Sequence, residues 1–342
     1  MTEWYFLFGA LALLVPLLLC GFVGCAQLAD IGDAIDTTDY PTAIKSTPDL
    51  VAYWRLGEPA STPIDSPGKA KSEVGGFHGI YRTLNPVTTP DNQQHSFETT
   101  GIIAFGETPG LLQLSSLSPC INVDGGFVEV PFNLQLNPPE FTLEAWVSPD
   151  PTMAKGFFHC LVQSAGPEGL GQKKTGWGLY LGPNDPPNDD YCWQVWMGNG
   201  TDFKRVLIAN RHSNPTKLQL TYLVLTFDGT KNARLWLYYP DTSQDLTFIV
   251  YVLGDQADVT KPELLGGPFK RNDASADGKG LFLIGAGSPL FPVTTPPTQR
   301  LYPFKGSIQE VALYKKDLAG PPPDFPGLLT TLGPHEQAGG YF

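Results

Sequence analysis

Basic residues are few in this chain, and they do not cluster. Its 342 residues hold 22 Lys and Arg against 34 Asp and Glu, a formal net charge of −12. Phosphate recognition needs a concentrated basic footprint, so nucleic acid and anionic membrane surfaces are excluded as charge-driven partners. Long helical periodicities are nearly absent. Catalytic signatures are scarce as well. No Glu-x-Asp-x-(x)-Glu run exists to aim paired acids at one cleft, since Glu140 and Glu144 have no Asp between them. His78, His95, His159, His212 and His335 show no metal-protease spacing, and Ser288 lacks the Gly-x-Ser-x-Gly elbow. The chain therefore reads as a protein without catalysis. Cysteine is sparse too. Of five, two lie near the N-terminus, and Cys120, Cys160 and Cys192 can form at most one internal disulfide. Cys160 and Cys192 fall in predicted strands two apart, so direct pairing would need distortion and buried thiols are expected.

Turn formers and aromatics are abundant. The chain has 37 Gly and 33 Pro, dense punctuation that suits many short strands, and 12% aromatic residues to fill a large core. One sandwich can exceed two hundred residues, so a single β domain accommodates most of the length.

From Trp4 to Ala26 no residue is charged. A helix of that length spans a bilayer core of about 30 Å at about 1.5 Å per residue. Pro16 is tolerable inside a membrane helix. Neither flank carries an early Lys or Arg, so the positive-inside rule does not orient the segment. Phe22-Val-Gly-Cys25 is similar to a bacterial lipobox, with Cys25 as the lipidation candidate. Three outcomes stay open for residues 1–27: an uncleaved anchor, a lipoprotein signal with lipid on Cys25, or simple cleavage. Each places the remainder outside the cytoplasm, at a cell surface or in a periplasm. Residues 28–48 read as an acidic linker, with a short helix available at Leu28–Ile35.

The stretch GGFVEVPFNLQLNPPEFTLEAWVSP, from Gly125 to Pro149, is the most informative in the chain. Phe127 to Val130 forms a short strand ended by Pro131. Phe141 to Val147 then alternates strictly: Phe141, Leu143, Ala145 and Val147 share one face, and Thr142, Glu144 and Trp146 share the other. Further strands are predicted at Leu50–Leu56, Phe157–Gln163, Gly176–Leu181, Tyr191–Met197, Leu218–Phe227, Ala233–Tyr239, Thr247–Leu253, Gly280–Gly285 and Phe304–Tyr314. Asp228-Gly229 is a hairpin signal between two of them.

Four segments in order carry a resemblance: Leu50-Val-Ala-Tyr-Trp-Arg-Leu56, the loops at Asp65-Ser-Pro-Gly68 and Phe77-His-Gly-Ile-Tyr81, the Phe141–Val147 strand, and Phe304-Lys-Gly-Ser-Ile-Gln-Glu-Val-Ala-Leu-Tyr314. Together they resemble the laminin-G-like jelly-roll modules of the concanavalin A-like lectin/glucanase superfamily, bacterial type. The match covers roughly residues 49–318, with insertions near 88–120, 182–190, 240–280 and 286–300. It implies an all-β fold, a jelly-roll sandwich of two antiparallel sheets, preceded here by one N-terminal hydrophobic helix. A Pro-rich tail at 319–342 replaces the usual helical ending, either packing back or extending as polyproline.

The resemblance also implies a surface-anchored binding module for glycan or a cell-surface protein. Two alternatives accompany it: a structural protein that uses the sandwich for self-association, and, less favoured, a polysaccharide-acting enzyme. A structural Ca²⁺ is implied near Asp65, with Glu58 and Glu310 as helpers. Asp273-Ala-Ser-Ala-Asp277-Gly278 imitates half of a calcium loop and reads more simply as a polar turn. Tryptophans on predicted strands suit either core packing or sugar stacking. Trp196 and Trp236 share faces with Gln194 and Arg234, so these four are the ligand-binding candidates on an exposed face. Glu144, beside Trp146, reads as a solvated strand carboxylate. Asn199-Gly-Thr201 matches a glycosylation sequon.

Overall fold

The computed structural model describes residues 39–59, 61–83, 102–104, 120–153, 156–166, 175–183, 191–212, 220–230, 233–239, 251–252, 267–272, 281–287, 302–321 and 326–339. The hydrophobic segment Trp4–Ala26, Cys25, the 273–278 loop and Ser288 lie outside these residues. Among the described residues no helix is long and apolar enough to cross a membrane.

Strand β7 (Phe141–Pro149) shows how the sequence builds the fold. Its alternation places Phe141, Leu143, Ala145 and Val147 in the main core and turns Thr142, Glu144 and Trp146 to the opposite face. The same rule organises β12 (Thr221–Phe227), which pairs with β7, and β13 (Ala233–Tyr238), which pairs with β12. Leu223, Leu225 and Phe227 point inward, as do Ala233, Leu235 and Leu237. Asp228 caps the turn between them by accepting from the Thr230 amide at 2.9 Å, so Phe227 pairs with Ala233.

Two antiparallel sheets result, an all-β jelly-roll sandwich as expected. The first runs β14 (Tyr251–Val252), β13, β12, β7, β16 (Lys305–Tyr314), β1 (Leu50–Trp54), β2 (Ser72–Val74). Strand β5 (Ile121–Asp124) also pairs with β16, and β4 (Ile102–Ala104) pairs with β5, making nine strands. The second runs β11 (Phe203–His212), β10 (Tyr191–Gly198), β9 (Gly176–Gly182), β8 (His159–Ala165), β15 (Phe282–Ile284), β6 (Gly126–Val130), β3 (Ile80–Thr83). Rings bridge the sheets: Phe141 stacks on Trp177 at 4.8 Å and Trp54 on Phe282 at 5.1 Å.

The segment expected as linker contributes to the sandwich. Residues Tyr40–Phe342 form one compact unit, beginning with helix α1 (Tyr40–Ser46), whose Tyr40, Pro41 and Ile44 are buried. At the other end, residues 326–338 are helical and close in α2 (Gly333–Ala338), so the Pro-rich tail packs back. α1 and α2 cover the outer face of the nine-stranded sheet. There Tyr40, Ile44, Leu332 and Ala338 join Tyr53, Trp146, Tyr222, Val224, Trp236 and Tyr314 in a second apolar cluster. Neither the helical tail nor the fusion of residues 40–48 to the sandwich was legible, because the patterns are short and interrupted by Pro41, Pro326 and Pro334.

Candidate functional site

At the centre of that second cluster sits a carboxylate. Glu144 is fully buried, which corrects the expectation of a solvated strand residue. Strand alternation does turn it away from the main core, but α1 and α2 close the outer face above it. Its oxygens accept from four directions. Tyr222 on β12 and Tyr314 on β16 donate their hydroxyls from the flanking strands. Tyr40 reaches in from α1 at 3.4 Å, and His335 Nδ1 from α2 stands 3.1 Å from Oε1 and 3.2 Å from Oε2. Burial alone would raise the pKa of Glu144. The charge of His335 and hydrogen bonds from His335, Tyr222 and Tyr314 outweigh it, holding the carboxyl below its ordinary value.

The imidazole has a second contact. Nε2 lies 2.8 Å from Thr47 Oγ1, just past α1, and the Thr47 hydroxyl donates to the Ala43 carbonyl at 3.0 Å. A threonine hydroxyl carries one proton, so with that proton committed Oγ1 acts as acceptor towards Nε2. Both ring nitrogens are thus engaged, Nδ1 with the Glu144 carboxylate and Nε2 with the Thr47 hydroxyl. The ring also stacks on Tyr314 (centroids 6.4 Å apart) and meets the edge of Tyr40.

Two more acids share this face. Glu310 occupies the bulge in β16 between Gln309, opposite Trp146, and Ala312, opposite Glu144. Its φ of 57° and buried side chain mark an extra residue pushed out of the ladder. Tyr53 donates to it, and Arg55 binds it with Nε and Nη2 both 3.2 Å from Oε1. Burial prevails over these partners and raises its pKa to about 7. Glu336 on α2 is likewise raised to about 7 by burial, against a hydrogen bond from Tyr238.

The predicted ligand residues fall on two sheets. Trp196 and Gln194 lie on β10, whereas Trp236 and Arg234 lie on β13. None is on an exposed face: Trp196 is 6% exposed, Arg234 2%, Trp236 1% and Gln194 0%. Gln194 donates to the Pro183 carbonyl at 2.8 Å and accepts from Trp196 Nε1 at 3.2 Å, so both ends of its amide are engaged. Arg234 is bound to Asp317 at 2.7 Å. The sequence pattern showed which residues share a face but not what covers it. Trp236 does belong to the Glu144 cluster, with Trp146.

The predicted metal residues do not meet. Arg82 Nη1 binds Asp65 at 3.0 Å, Glu58 accepts from Tyr81 and from the Lys71 amide, and Glu310 is held by Arg55 and Tyr53. Among the described residues no group of three or more His, Cys, Asp or Glu is arranged to hold a metal ion. With guanidinium groups beside two of the three acids, this donor set does not fit one Ca²⁺.

No family model matches this chain, and no curated protein matches it. Solved structures do, at low identity. Domain 4 of AbnA, an extracellular GH43 arabinanase from Geobacillus stearothermophilus in complex with arabinotriose, is 13% identical with a TM-score of 0.37, covering 78% of this chain and 92% of that one. Botulinum neurotoxin type C, which interacts with two ganglioside molecules, is 10% identical with a TM-score of 0.41, covering 85% and 51%. A Trypanosoma rangeli sialidase in complex with the inhibitor DANA is 14% identical with a TM-score of 0.39, covering 83% and 33%. This chain thus spans about half of the neurotoxin chain and a third of the sialidase. At these levels no ligand or activity is transferred to it.

Proposed function

We propose that this chain is a membrane-anchored, extracytoplasmic binding module that recognises carbohydrate or a cell-surface protein and performs no catalysis. The supporting observation is the Glu144 face. A carboxylate that accepts tyrosine hydroxyls from two neighbouring strands can accept a ligand's hydroxyls by the same geometry. Trp146, stacked on Tyr222 at 4.9 Å, and Tyr314 lie beside it, all buried beneath the helices, and would offer flat rings to the apolar faces of a sugar or a side chain once α2 moved aside. Sealing a sheet face requires only apolar residues, and buried ion pairs are poor stabilisers beside well-packed hydrocarbon. Their concentration on one face is what recognition requires.

A hydrolytic reading has one observation in its favour. Glu144 and Glu310 occupy adjacent strands on one face, with pKa values displaced in opposite directions, the pattern of an acid–base pair. Against it, Arg55 and Tyr53 already occupy the oxygens of Glu310.

The test is a glycan array and a cell-binding assay with the detergent-solubilised full chain, beside Trp146→Phe. Saturable binding weakened at least tenfold by the substitution is expected. Binding to neither sugars nor cells, with regular oligomers instead, would establish the assembly alternative. Release of reducing ends from a polysaccharide panel would establish the hydrolytic one.

A further inference from the structure

The outward residues of β7 are contacted in order by the chain's own C-terminal segment. Thr142 comes first: its hydroxyl donates to the Lys316 carbonyl at 2.8 Å and accepts from the Leu318 amide at 2.9 Å. Glu144 is next, bound by His335. Trp146 follows, covered by Gly339, the residue just past α2. A Cβ placed on Gly339 would stand 2.5 Å from the indole Cζ2, so the backbone lies directly on the ring. Described residues of the C-terminal segment thus meet Thr142, Glu144 and Trp146 in turn.

The contacts are of two kinds. At Thr142, and at Arg234 with Asp317, the segment is stitched to the sheet edge by short hydrogen bonds. Over Glu144 and Trp146 it is held by His335, by Leu332 and Ala338 in the apolar cluster, by Glu336, which accepts from Tyr238, and by the close approach of Gly339. Two of the four donors to Glu144, Tyr222 and Tyr314, belong to the sheet. The other two, Tyr40 and His335, belong to the terminal helices. Lifting α2 would remove His335 from Glu144, uncover Trp146 and one face of Tyr314, and leave every strand pairing intact.

The geometry points to α2 as an internal plug of the recognition face: His335 holds the position of a ligand's donor group and is displaced when ligand binds. This rests on the binding role proposed for the Glu144 face, and it specifies the ligand further. A competitor must bring hydrogen-bond donors to Glu144 together with a flat apolar surface for Trp146 and Tyr314, which a pyranose ring carrying hydroxyls supplies. The groups facing the imidazole are Glu144 from β7, Tyr314 from β16, and Tyr40 and Thr47 from α1 and its end. Among the described residues that contact the imidazole there is no Lys or Arg.

Amide hydrogen exchange on the full chain in detergent tests the plug without a ligand. Amides of residues 335–339 are expected to exchange at least 100-fold faster than those of β7 and β12, because α2 opens while the sandwich stays folded. Gly339→Val should accelerate that exchange tenfold or more, with β12 unchanged as the control for folding. Exchange of residues 335–339 at the rate of β7 would overturn the plug and leave the binding role standing. The second measurement is the array of immobilised neutral oligosaccharides, probed with wild type and Gly339→Val. Binding at least fivefold tighter in the variant supports the plug. Equal binding by a variant whose helix has been released overturns it. Binding by neither protein overturns the recognition role of this face, and the plug with it.

Discussion

The Glu144 carboxylate and the His335 imidazole lie 3.1 Å apart although 191 residues separate them. The first belongs to the middle of the sandwich and the second to the tail, and both are buried. Removing one partner of such a pair leaves a charge in a poorly solvated site, which costs about 3–5 kcal/mol. His335→Ala and Glu144→Gln are each expected to lower stability on that scale in urea denaturation. The double variant should lose less than the sum, since no charge is then stranded. Strict additivity would show that the two side chains are not coupled.

The three buried acids make opposite contributions to the pH dependence. Glu310 and Glu336 have folded pKa values of about 7 against an ordinary value of 4.5, so the folded protein holds protons there that the unfolded chain releases. Their effect is to make stability fall as pH rises from about 4.5 through 7. Glu144 acts the other way: its lowered pKa makes stability fall as pH drops below 4.5. Maximum stability is therefore expected near pH 5, with a decline towards pH 8 that Glu336→Gln partly flattens. Denaturant midpoints measured from pH 4 to pH 9 check this, and a midpoint that rises steadily to pH 8 would contradict it.

Much of the sandwich was legible in sequence because period-two alternation directly encodes the faces of a strand. Phe141, Leu143, Ala145 and Val147 read as one face and form one. The Asp228-Gly229 turn likewise fixed the pairing of β12 with β13. The site was half legible. Glu144 and Trp146 were read as neighbours on the outer face, but alternation does not say whether that face meets water. The cover comes from Tyr40, Thr47, His335 and Gly339, which lie in segments too short and too Pro-interrupted to display an amphipathic period. His335 had no neighbouring ligand motif to single it out, since its partners come from β7 and α1. Glu310 reads in sequence as a helper at a metal, while the bulge that buries it beside Arg55 is a property of strand register, which local sequence does not show.

Calcium is not expected to bind at Asp65 or Glu310. Asp65 is bound to Arg82, which also contacts Glu129 at 3.3 Å, and Glu310 is bound to Arg55. A divalent ion at either acid would have to stand beside a guanidinium. Any shift in melting between excess Ca²⁺ and chelator should be the same in Asp65→Asn as in the wild type. A saturable rise of several degrees would show a calcium site that these residues do not form.

Arg234 and Asp317 offer a test of the stitching at the sheet edge. The guanidinium is 2% exposed and its Nη1 lies 2.7 Å from Asp317, whose other oxygen accepts from the Ala319 amide at 3.1 Å. Asp317→Asn keeps the shape but takes the negative partner at Nη1 from a buried guanidinium, so a loss of up to about 3 kcal/mol is expected. Arg234→Met removes the charge and keeps the apolar stem, and should cost less. The reverse order would mean that the carboxylate matters through the Ala319 turn and not through the arginine.

The last expectation concerns the thiols. Cys160 on β8 and Cys192 on β10 are separated by β9, which pairs with both through Cys160 opposite Tyr180 and Cys192 opposite Gly182. Two strand spacings amount to about 9–10 Å, whereas the Cα atoms of a disulfide stand about 4.4–6.8 Å apart. No bridge can form without pulling β9 out of the sheet. Cys120, Cys160 and Cys192 are all buried, and burial pushes the Cys160 thiol well up, so the reactive thiolate is suppressed as well as shielded. Peptide mapping after treatment with a thiol reagent should find none of the three labelled in the folded protein and all three labelled in denaturant. Oxidation before denaturation should not protect any of them. A Cys160–Cys192 peptide would require a different strand order, and rapid labelling of Cys160 alone would mean that the outer face of the seven-stranded sheet opens to solvent.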